Sequence, residues 1–412
     1  MDKLIKETLE INNFFSINHL KWEIKRFNII TGDMGVGKSL CIKLLKFFED
    51  IIPNLLILPY ENFVNLNTKN YASFIIKDFK ELFDVQSLML KNQLLFRADY
   101  EFSYNENLFK MSLLCNGNDI NFESPSLDNL LENWYKHLQK KENETPDGLK
   151  ETKKSLYSAL LQKFDNYFPI ATTFIPASRA SLANSSNYID PYLKEFKSLV
   201  DVLPRFESRK LEIINTILKA EINIEEGSLF LKSEDGRKEP LAKASSGQQE
   251  IVYLLMLLDK LGNFYYTYGS YHSIFIEEPE AQIFPLNQKQ IIELIVSRFN
   301  ELKENGNSIR FFITTHSPYI LNALNNILEK GALLKKYENF SEKINSKIDI
   351  PHLYTDEISA NFLSQDDGWE NMLVEDENYL DTKKIAEISY AIDRVSTELS
   401  ELKNELSSEE VL

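Results

Sequence analysis

The stretch Gly32-Asp33-Met34-Gly35-Val36-Gly37-Lys38-Ser39 carries the residue types and spacing of a phosphate cradle. It fits G-x-x-x-x-G-K-[ST], with the apolar run from Phe27 to Ile30 before it and a helix-like run from Leu40 to Phe48 after it. That is the strand-loop-helix setting such a loop needs. Gly32, Gly35 and Gly37 let the backbone curl until successive N–H groups converge, and the helix start adds partial positive charge that favours phosphate oxygens. Lys38 then reaches the β- and γ-phosphates of a nucleotide, Ser39 ligates Mg2+, and Leu40 carries the binding segment into the helix. A glycine-rich turn that matches by chance is the competing reading, and the flanking strand and helix argue against it.

Three further stretches have chemistry to offer. Ser245, Ser246, Gly247 and Gln248 open the apolar run Ile251 to Leu258; hydroxyls and free N–H groups at a helix start make either an anion site or an ordinary N-cap. Glu277 and Glu278 follow the apolar strand Ser273 to Ile276. At the carboxyl end of a central parallel strand the first acid can hold Mg2+ and its water, while the second faces the γ-phosphate and orients or deprotonates an attacking water. Without the cradle, the same pair would read as solvated loop charge. His316 ends the run Arg310 to Thr315; a lone histidine is usually structural, but at a strand end in this company it reads as a γ-phosphate contact.

The elements that must position these groups follow from periodicity. Residues 4 to 30 alternate apolar and polar side chains, predicting two or three antiparallel strands with turn signals at Asn12-Asn13 and Asn18. Leu40, Leu44, Leu45, Phe48, Ile51 and Ile52 have helical spacing, ended by Pro53, and Tyr71 to Phe83 predicts another amphipathic helix. Leu94 to Phe122 reads as strands turning at Asn105-Glu106-Asn107 and at Asn116 to Asp119. Residues 127 to 168 read as a helical hairpin, for which a lid, a docking surface and plain core packing all remain open. The strand Ala171 to Ile175 runs into Arg179, which either points into a phosphate site or pairs with an acidic neighbour, and Ser181 to Asn187 read as a mobile loop. Helices over Pro191 to Val202 and Ser208 to Ala220 precede a β-meander from Ile222 to Leu231 that turns at Glu234-Asp235-Gly236. Near the end, Ile385, Ile388, Ile392, Val395, Leu399, Leu402 and Leu406 hold an a/d register for about three heptads; this helix can pair with its copy, dock an effector or pack on its own core.

A chain of 412 residues predicts two or three structural units. Its net charge of -16 leaves nucleic-acid contact to a local patch or a partner subunit. Cys41 and Cys115 lack any metal spacing and imply a reducing cytosol. The first residues lack a signal-peptide core and no apolar run is long enough for a bilayer, so a cytoplasmic location with no membrane role is expected.

The four motifs together, Gly32 to Ser39, Ser245 to Glu250, Ile274 to Glu280 and Thr314 to Pro318, resemble the Walker A, signature, Walker B and switch-histidine motifs of ABC-type ATPases. More narrowly, Ile276 to Ala281 and Thr314 to Tyr319 resemble the OLD-like and SMC-like bacterial ATPases, many of which serve in antiphage defence. The resemblance implies an α/β fold: an ABC-type P-loop ATPase with an N-terminal antiparallel β-lobe, a central mostly parallel sheet and a helical insertion or lid. It implies ATP and Mg2+ as cofactors and a head-to-tail homodimer with ATP sandwiched between subunits, or a higher oligomer. Ser246 and Gly247, flanked by Ser245 and Gln248, would then act in trans on the nucleotide held by Gly32, Gly35, Gly37, Lys38, Ser39 and Leu40. Ser39 and Glu277 would support Mg2+, Glu278 would be the general base and His316 would sense the γ-phosphate. Met34 stands where asparagine is frequent and Gln282 where many relatives have histidine, while Gln86 and Gln93 are the candidates for a Q-loop glutamine.

This divides the chain into an ATPase half-core at 1–60, an insertion at 61–170, the second half-core at 171–330 and a helical docking region at 331–412. OLD nucleases continue into a Toprim domain; Val374-Glu375-Asp376-Glu377 lacks the glycine of its entry motif, and these acids are expected to form a solvated loop. The leading functional expectation is an oligomeric ATPase switch that gates a separately encoded nuclease or toxin. The alternative is a DNA-repair or chromosome-type ATPase, against which the acidity and the lack of a long coiled coil count. A transporter subunit is disfavoured by the long separation of Ser39 from Ser245, and a scaffold without turnover by Glu278 and His316.

Overall fold

A computed structural model describes residues 5–57, 71–83, 95–117, 119–139, 158, 160, 162–164, 168–183, 196, 212–225, 228–261, 271–365, 368–374, 376 and 378–383. Strands β1 (Ile5–Phe14) and β2 (Ile17–Glu23) form a hairpin, and β3 (Phe27–Gly32) runs into α1 (Lys38–Ile57). Helix α2 (Tyr71–Leu82) leads to β4 (Leu95–Tyr104), β5 (Asn107–Asn116), β6 (Asp119–Glu123) and α3 (Pro125–Gln139). Strand β7 (Pro169–Ile175) ends in a 3-10 turn at Arg179–Ala183, and α4 (Glu212–Leu218) precedes the meander β8 (Ala220–Glu225), β9 (Ser228–Ser233) and β10 (Lys238–Pro240). Then come α5 (Ser246–Lys260), β11 (Tyr271–Glu277), α6 (Pro285–Glu304), β12 (Ile309–Thr314), α7 (Pro318–Lys336) and α8 (Ser341–Lys347). The described chain closes with β13 (Ile358–Leu363), β14 (Trp369–Asn371) and the small hairpin of β15 (Leu373–Val374) and β16 (Tyr379–Leu380).

Hydrophobic pattern sorts the strands between sheets. Alternating strands make the antiparallel sheet β2-β1-β4-β5-β6; on β4, Phe96, Ala98, Tyr100, Phe102 and Tyr104 all turn inward. Strands apolar at nearly every position make the sheet β14-β13-β3-β12-β11-β7, in which all neighbours except β14 pair in parallel. Continuous apolar runs are required because both faces of that sheet are buried. Ile30, Phe174, Phe275 and Phe312 face α1 and the antiparallel lobe, while Ile29, Ile274, Ile276, Phe311 and Ile313 face α5, α6 and α7. This is the mixed α/β P-loop architecture expected of the motifs. Among the described residues no helix is long and apolar enough to cross a membrane.

Several local expectations are corrected. The first hairpin turns at Phe15–Ser16 rather than Asn12-Asn13, because Asn12 pairs with His19 in the register that buries Leu9 and Ile11 with Leu20 and Trp22. Pro53 lies inside α1 rather than ending it. Losing one helical hydrogen bond there is offset by burial on both sides, with Ile51, Ile52 and Leu55 all in the core. The division at 60/61 separates β1 from its partner β4, and the division at 330/331 separates β3 from β13, so both fall within sheets. Val374 belongs to β15, and Asp376 lies between β15 and β16, while Glu375 and Glu377 lie outside the described residues. Helix α3 supplies the first arm of the expected 127–168 hairpin. The turn between its arms and most of the second arm, Asn184 to Asn187, most of the Pro191 to Val202 helix, Gln86, Gln93 and the C-terminal heptads lie outside the described residues.

A polar seam fastens α1 between the two sheets. Arg310 of β12, 2% exposed, donates to Glu7 of β1, to Glu49 of α1 at 2.7 Å and to Ser273 of β11 at 2.8 Å, and Tyr100 donates to Glu7 at 2.8 Å. Two buried carboxylates share one guanidinium, and burial pushes Glu49 up to about 8 against the pull of Arg310. Arg310→Met should therefore destabilise the fold by about 3–5 kcal/mol in denaturant melts, since it strands both acids. An acid whose folded pKa is raised loses stability as pH climbs from its unfolded to its folded value. Glu49→Gln should thus remove a fall in stability between about pH 4.5 and pH 8, and an unchanged pH profile would mean that burial does not hold the Glu49 carboxyl up.

Candidate nucleotide site

The cradle is built where its neighbours leave no room for side chains. Gly32 has φ +138°, and a Cβ there would lie 1.8 Å from the Leu363 carbonyl oxygen, which also accepts the Asp33 N–H at 3.2 Å. Gly37 has φ +107°, and a Cβ there would lie 2.7 Å from Ile17 and 2.8 Å from the Ser16 hydroxyl. The end of β13 and the tip of the β1–β2 hairpin thus brace the loop from two sides. Lys38 opens α1, 6% exposed, and its ammonium donates to the carbonyl oxygens of Gly32 at 3.0 Å and of Asp33. Burial pulls its pKa down to about 8, although Glu278, Asp33 and Glu280 favour the charge. Ser39 and Leu40 follow on the first turn, and Met34 at the loop tip is 87% exposed.

The paired acids arrive from β11 with different environments. Glu277 ends the strand facing α1, where its Oε2 accepts the Ala177 N–H at 3.2 Å and its Oε1 lies 3.3 Å from Lys43 Nζ. Glu278 turns out of the sheet with φ +42°, a left-handed conformation that costs a non-glycine residue about 1 kcal/mol or more. Three bonds hold it there: its N–H donates to Thr314 O at 3.0 Å, and its carbonyl accepts from Ala281 N at 3.1 Å and from Arg179 at 3.1 Å. Its carboxylate meets His316 Nε2 at 3.4 Å, and that contact, ahead of the opposing burial, holds it below the usual carboxylate range.

Two residues outside the expected site support it. Glu280 Oε1 accepts from the Thr315 hydroxyl at 2.8 Å and the His316 N–H at 2.6 Å, tying the turn after β11 to the loop that carries the histidine. Burial raises its pKa despite those donors. Arg179, fully buried, donates to the carbonyls of Pro176, Glu250 and Glu277 as well as that of Glu278, and pairs with the Glu250 carboxylate at 3.6 Å. Of its two expected roles, pairing with an acid is the one present, and its main work is to gather backbone carbonyls around the turn after β11. Their spacing within Glu277-Glu278-Pro279-Glu280 could have flagged Glu280. Nothing in the local sequence tells that Arg179 is turned inward.

Ser245 caps α5: its hydroxyl accepts the Gln248 N–H at 3.3 Å, and Gln248 returns its Oε1 to the Ser245 N–H at 3.2 Å. The Gln248 amide also donates to Leu218 O at 3.0 Å, so both residues are engaged in the cap. Ser245 and Ser246 are exposed, and a Cβ on Gly247 would lie 2.6 Å from Gln282 O, so the helix start packs on the turn after Glu280. The cradle, Glu278 and His316 thus share one end of the parallel sheet. Among the described residues no hydrogen bond or ion pair joins Ser245 to Gln248 with Gly32 to Ser39.

A divalent cation fits the chemistry of the donors. Glu277 Oε1 and Thr314 Oγ1 are buried without a hydrogen-bond partner, leaving oxygen lone pairs at the paired ends of β11 and β12. No group of three or more His, Cys, Asp or Glu that could hold a metal occurs among the described residues; a cation at these oxygens would complete its shell with phosphates and water. Cys41 is fully buried one turn into α1, and burial pushes its thiol up, which makes it inert.

The AAA ATPase domain family matches residues 6–321 of the chain. No curated protein matches it. Among solved structures, the SMC head domain from Thermotoga maritima is similar at 13% identity and TM-score 0.35, covering 77% of this chain and 91% of that one. The recombination mediator protein RecF bound to ATP is similar at 9% identity and TM-score 0.36, over 90% of this chain and 99% of that one.

The Lys38 environment sets a pH dependence. A triphosphate favours the ammonium form, so binding above the free-site pKa must first recruit a proton. ATP affinity measured by titration calorimetry should be flat up to about pH 8 and then fall by about tenfold per pH unit. An affinity constant to about pH 9.5 would mean that Lys38 is not desolvated in the way its burial indicates.

Proposed function

The chain belongs to the AAA ATPase domain family, and from that premise we propose that it is an OLD-like, SMC-like ABC-type switch that dimerises around ATP and gates a separately encoded effector in antiphage defence. The observation that carries the catalytic part is the Glu278–His316 pair, 3.4 Å apart, facing the same pocket of charge as Lys38. Lys38 and the loop N–H groups hold the phosphates. Glu278, kept ionised by His316, is a weak base; it orients the attacking water and takes its proton as the new bond to phosphorus forms. Glu277 and Ser39 would hold Mg2+, which supplies charge neutralisation for the phosphate oxygens when bound. Left-handed Glu278 needs no rearrangement to present its carboxylate, so its orientation is fixed before substrate arrives.

Sharing of the site between two subunits is supported by the exposure of Ser245, which caps α5, and of Ser246, its first residue, neither of which is bonded to the cradle among the described residues. The segments beside the motifs also carry exposed apolar side chains, Met34 at 87%, Phe284 at 73%, Leu286 at 59% and Tyr319 at 50%. Apolar side chains left in water next to a half-complete anion site are what a second copy would cover. In that arrangement Ser246 and Gly247 reach the γ-phosphate held by the other subunit. A net charge of -16 favours a protein effector over DNA as the output.

Glu278→Gln should lower turnover by about 10²–10⁴-fold and trap an ATP-bound dimer in light scattering; unchanged turnover and assembly would remove Glu278 from the role. Lys38→Ala should lose nucleotide binding and dimer together, and normal ATP-dependent assembly in that variant would separate the two. Co-purification of a nuclease or toxin supports the gate. ATPase activity stimulated by DNA, with no such protein bound, would favour the DNA-repair reading instead.

A further inference from the structure

Lys43 lies four residues after Ser39, on the same face of α1. Its ammonium sits 3.3 Å from Glu277 Oε1, the oxygen that accepts no hydrogen bond. The pair is therefore an ion contact without a donor aimed along the lone pair. Glu277 is nearly closed to water at 6% side-chain exposure, whereas Lys43 keeps 22%, so the lysine has a route out and the acid does not. The Phe174 ring, its centroid 5.6 Å from the same ammonium, already attracts it by cation–π interaction and would keep hold of it if the carboxylate were given up.

The charges nearby make the pairing consequential. Glu277, Glu278 and Glu280 fall within four residues, while Lys38 is turned onto loop carbonyls and Arg179 onto Glu250 and the carbonyls around it. A buried carboxylate without a counter-charge is costly. Among the described residues, Lys43 is the cation within ion-pair distance of Glu277.

We propose that Lys43 is the resident counter-ion of Glu277: it neutralises this acid in the nucleotide-free protein and moves aside toward Phe174 when a divalent cation enters with ATP. The inference rests on the reading of Glu277 as a metal-supporting acid. Lys43 and the cation compete for one oxygen, so this lysine weakens metal binding and raises the Mg2+ concentration at which the loaded site fills. It is a positioning residue, acting on the cation through Glu277.

The test uses Mn2+ as an electron-paramagnetic probe, titrated into the full chain with a non-hydrolysable ATP analogue. Lys43→Met, which keeps the aliphatic packing on Phe174, should bind Mn2+ about tenfold tighter than the wild type, and Lys43→Arg should return the wild-type value. Analogue affinity in EDTA should stay within about twofold of the wild type in Lys43→Met, because the lysine faces the acid and not the phosphates. Equal or weaker Mn2+ binding by Lys43→Met overturns the proposal. So does a large loss of affinity in EDTA, which would make Lys43 a phosphate contact. Glu277→Gln separates the two layers: Mn2+ binding that survives this change intact would overturn the assignment of Glu277 itself, and the role of Lys43 with it.

Discussion

One register across the parallel sheet decides which side chains can meet. Glu277 of β11 pairs with Thr314 of β12, and Thr314 pairs with Ile30 of β3, so three strand ends lie in a row. Backbone bonds continue that row past the strands: Glu278 N to Thr314 O at 3.0 Å, Thr315 N to Ile30 O at 3.0 Å and Asp33 N to Leu363 O at 3.2 Å. The cradle, the acids and the histidine are carried on this line. A slip of one residue in β11 would send Glu277 to the face of α5 and α6 and turn Glu278 toward α1. Burial prevents the slip, because Phe275 belongs to the core on one face while Ile274 and Ile276 belong to the core on the other.

Helix α1 reads that register from one side. Its first turn forms the cradle, Lys43 meets Glu277 one turn on, and Glu49 reaches Arg310 near the other end of the strands. Between these polar contacts Phe275 and Phe312 stack with centroids 4.7 Å apart. The aromatic middle contributes burial, and the polar ends fix where along the sheet the helix may sit. Because Arg310 also binds Glu7 of the antiparallel lobe, the position of Ser39 is referred to both sheets at once.

The sequence made the four motifs and most strands legible because each is a local pattern: glycines at fixed spacing, apolar runs, or alternation. What it did not disclose depended on partners distant in the chain. β13 looked like part of a separate tail, yet Ile358 and Ala360 are buried beside β3, and nothing within that segment names its neighbour. Pro53 is a strong helix breaker taken locally, and the burial of Ile52 and Leu55 overrides it. The first hairpin misled in the same way: Asn13 does take φ +56°, as asparagine favours, but Phe15 takes φ +54° and makes the turn, since pairing of Ile11 with Leu20 sets the register.

Arg179 shows most clearly why part of the site lies beyond sequence reading. An arginine after a strand in a phosphate-binding protein is easily assigned to the ligand, since its fork matches phosphate oxygens. Here the same fork is spent on main-chain oxygens from the end of β7, the start of α5 and the turn after β11. Those carbonyls converge because β7 and β11 pair in parallel and α5 packs across their ends, and a convergence of carbonyls needs a buried cation as much as a convergence of amides needs an anion. The conformation of Glu278 follows from that arrangement. Its left-handed backbone would relax if its carbonyl were released, so the Glu278 carboxylate is held in place by a guanidinium bonded to its main chain and not to its side chain.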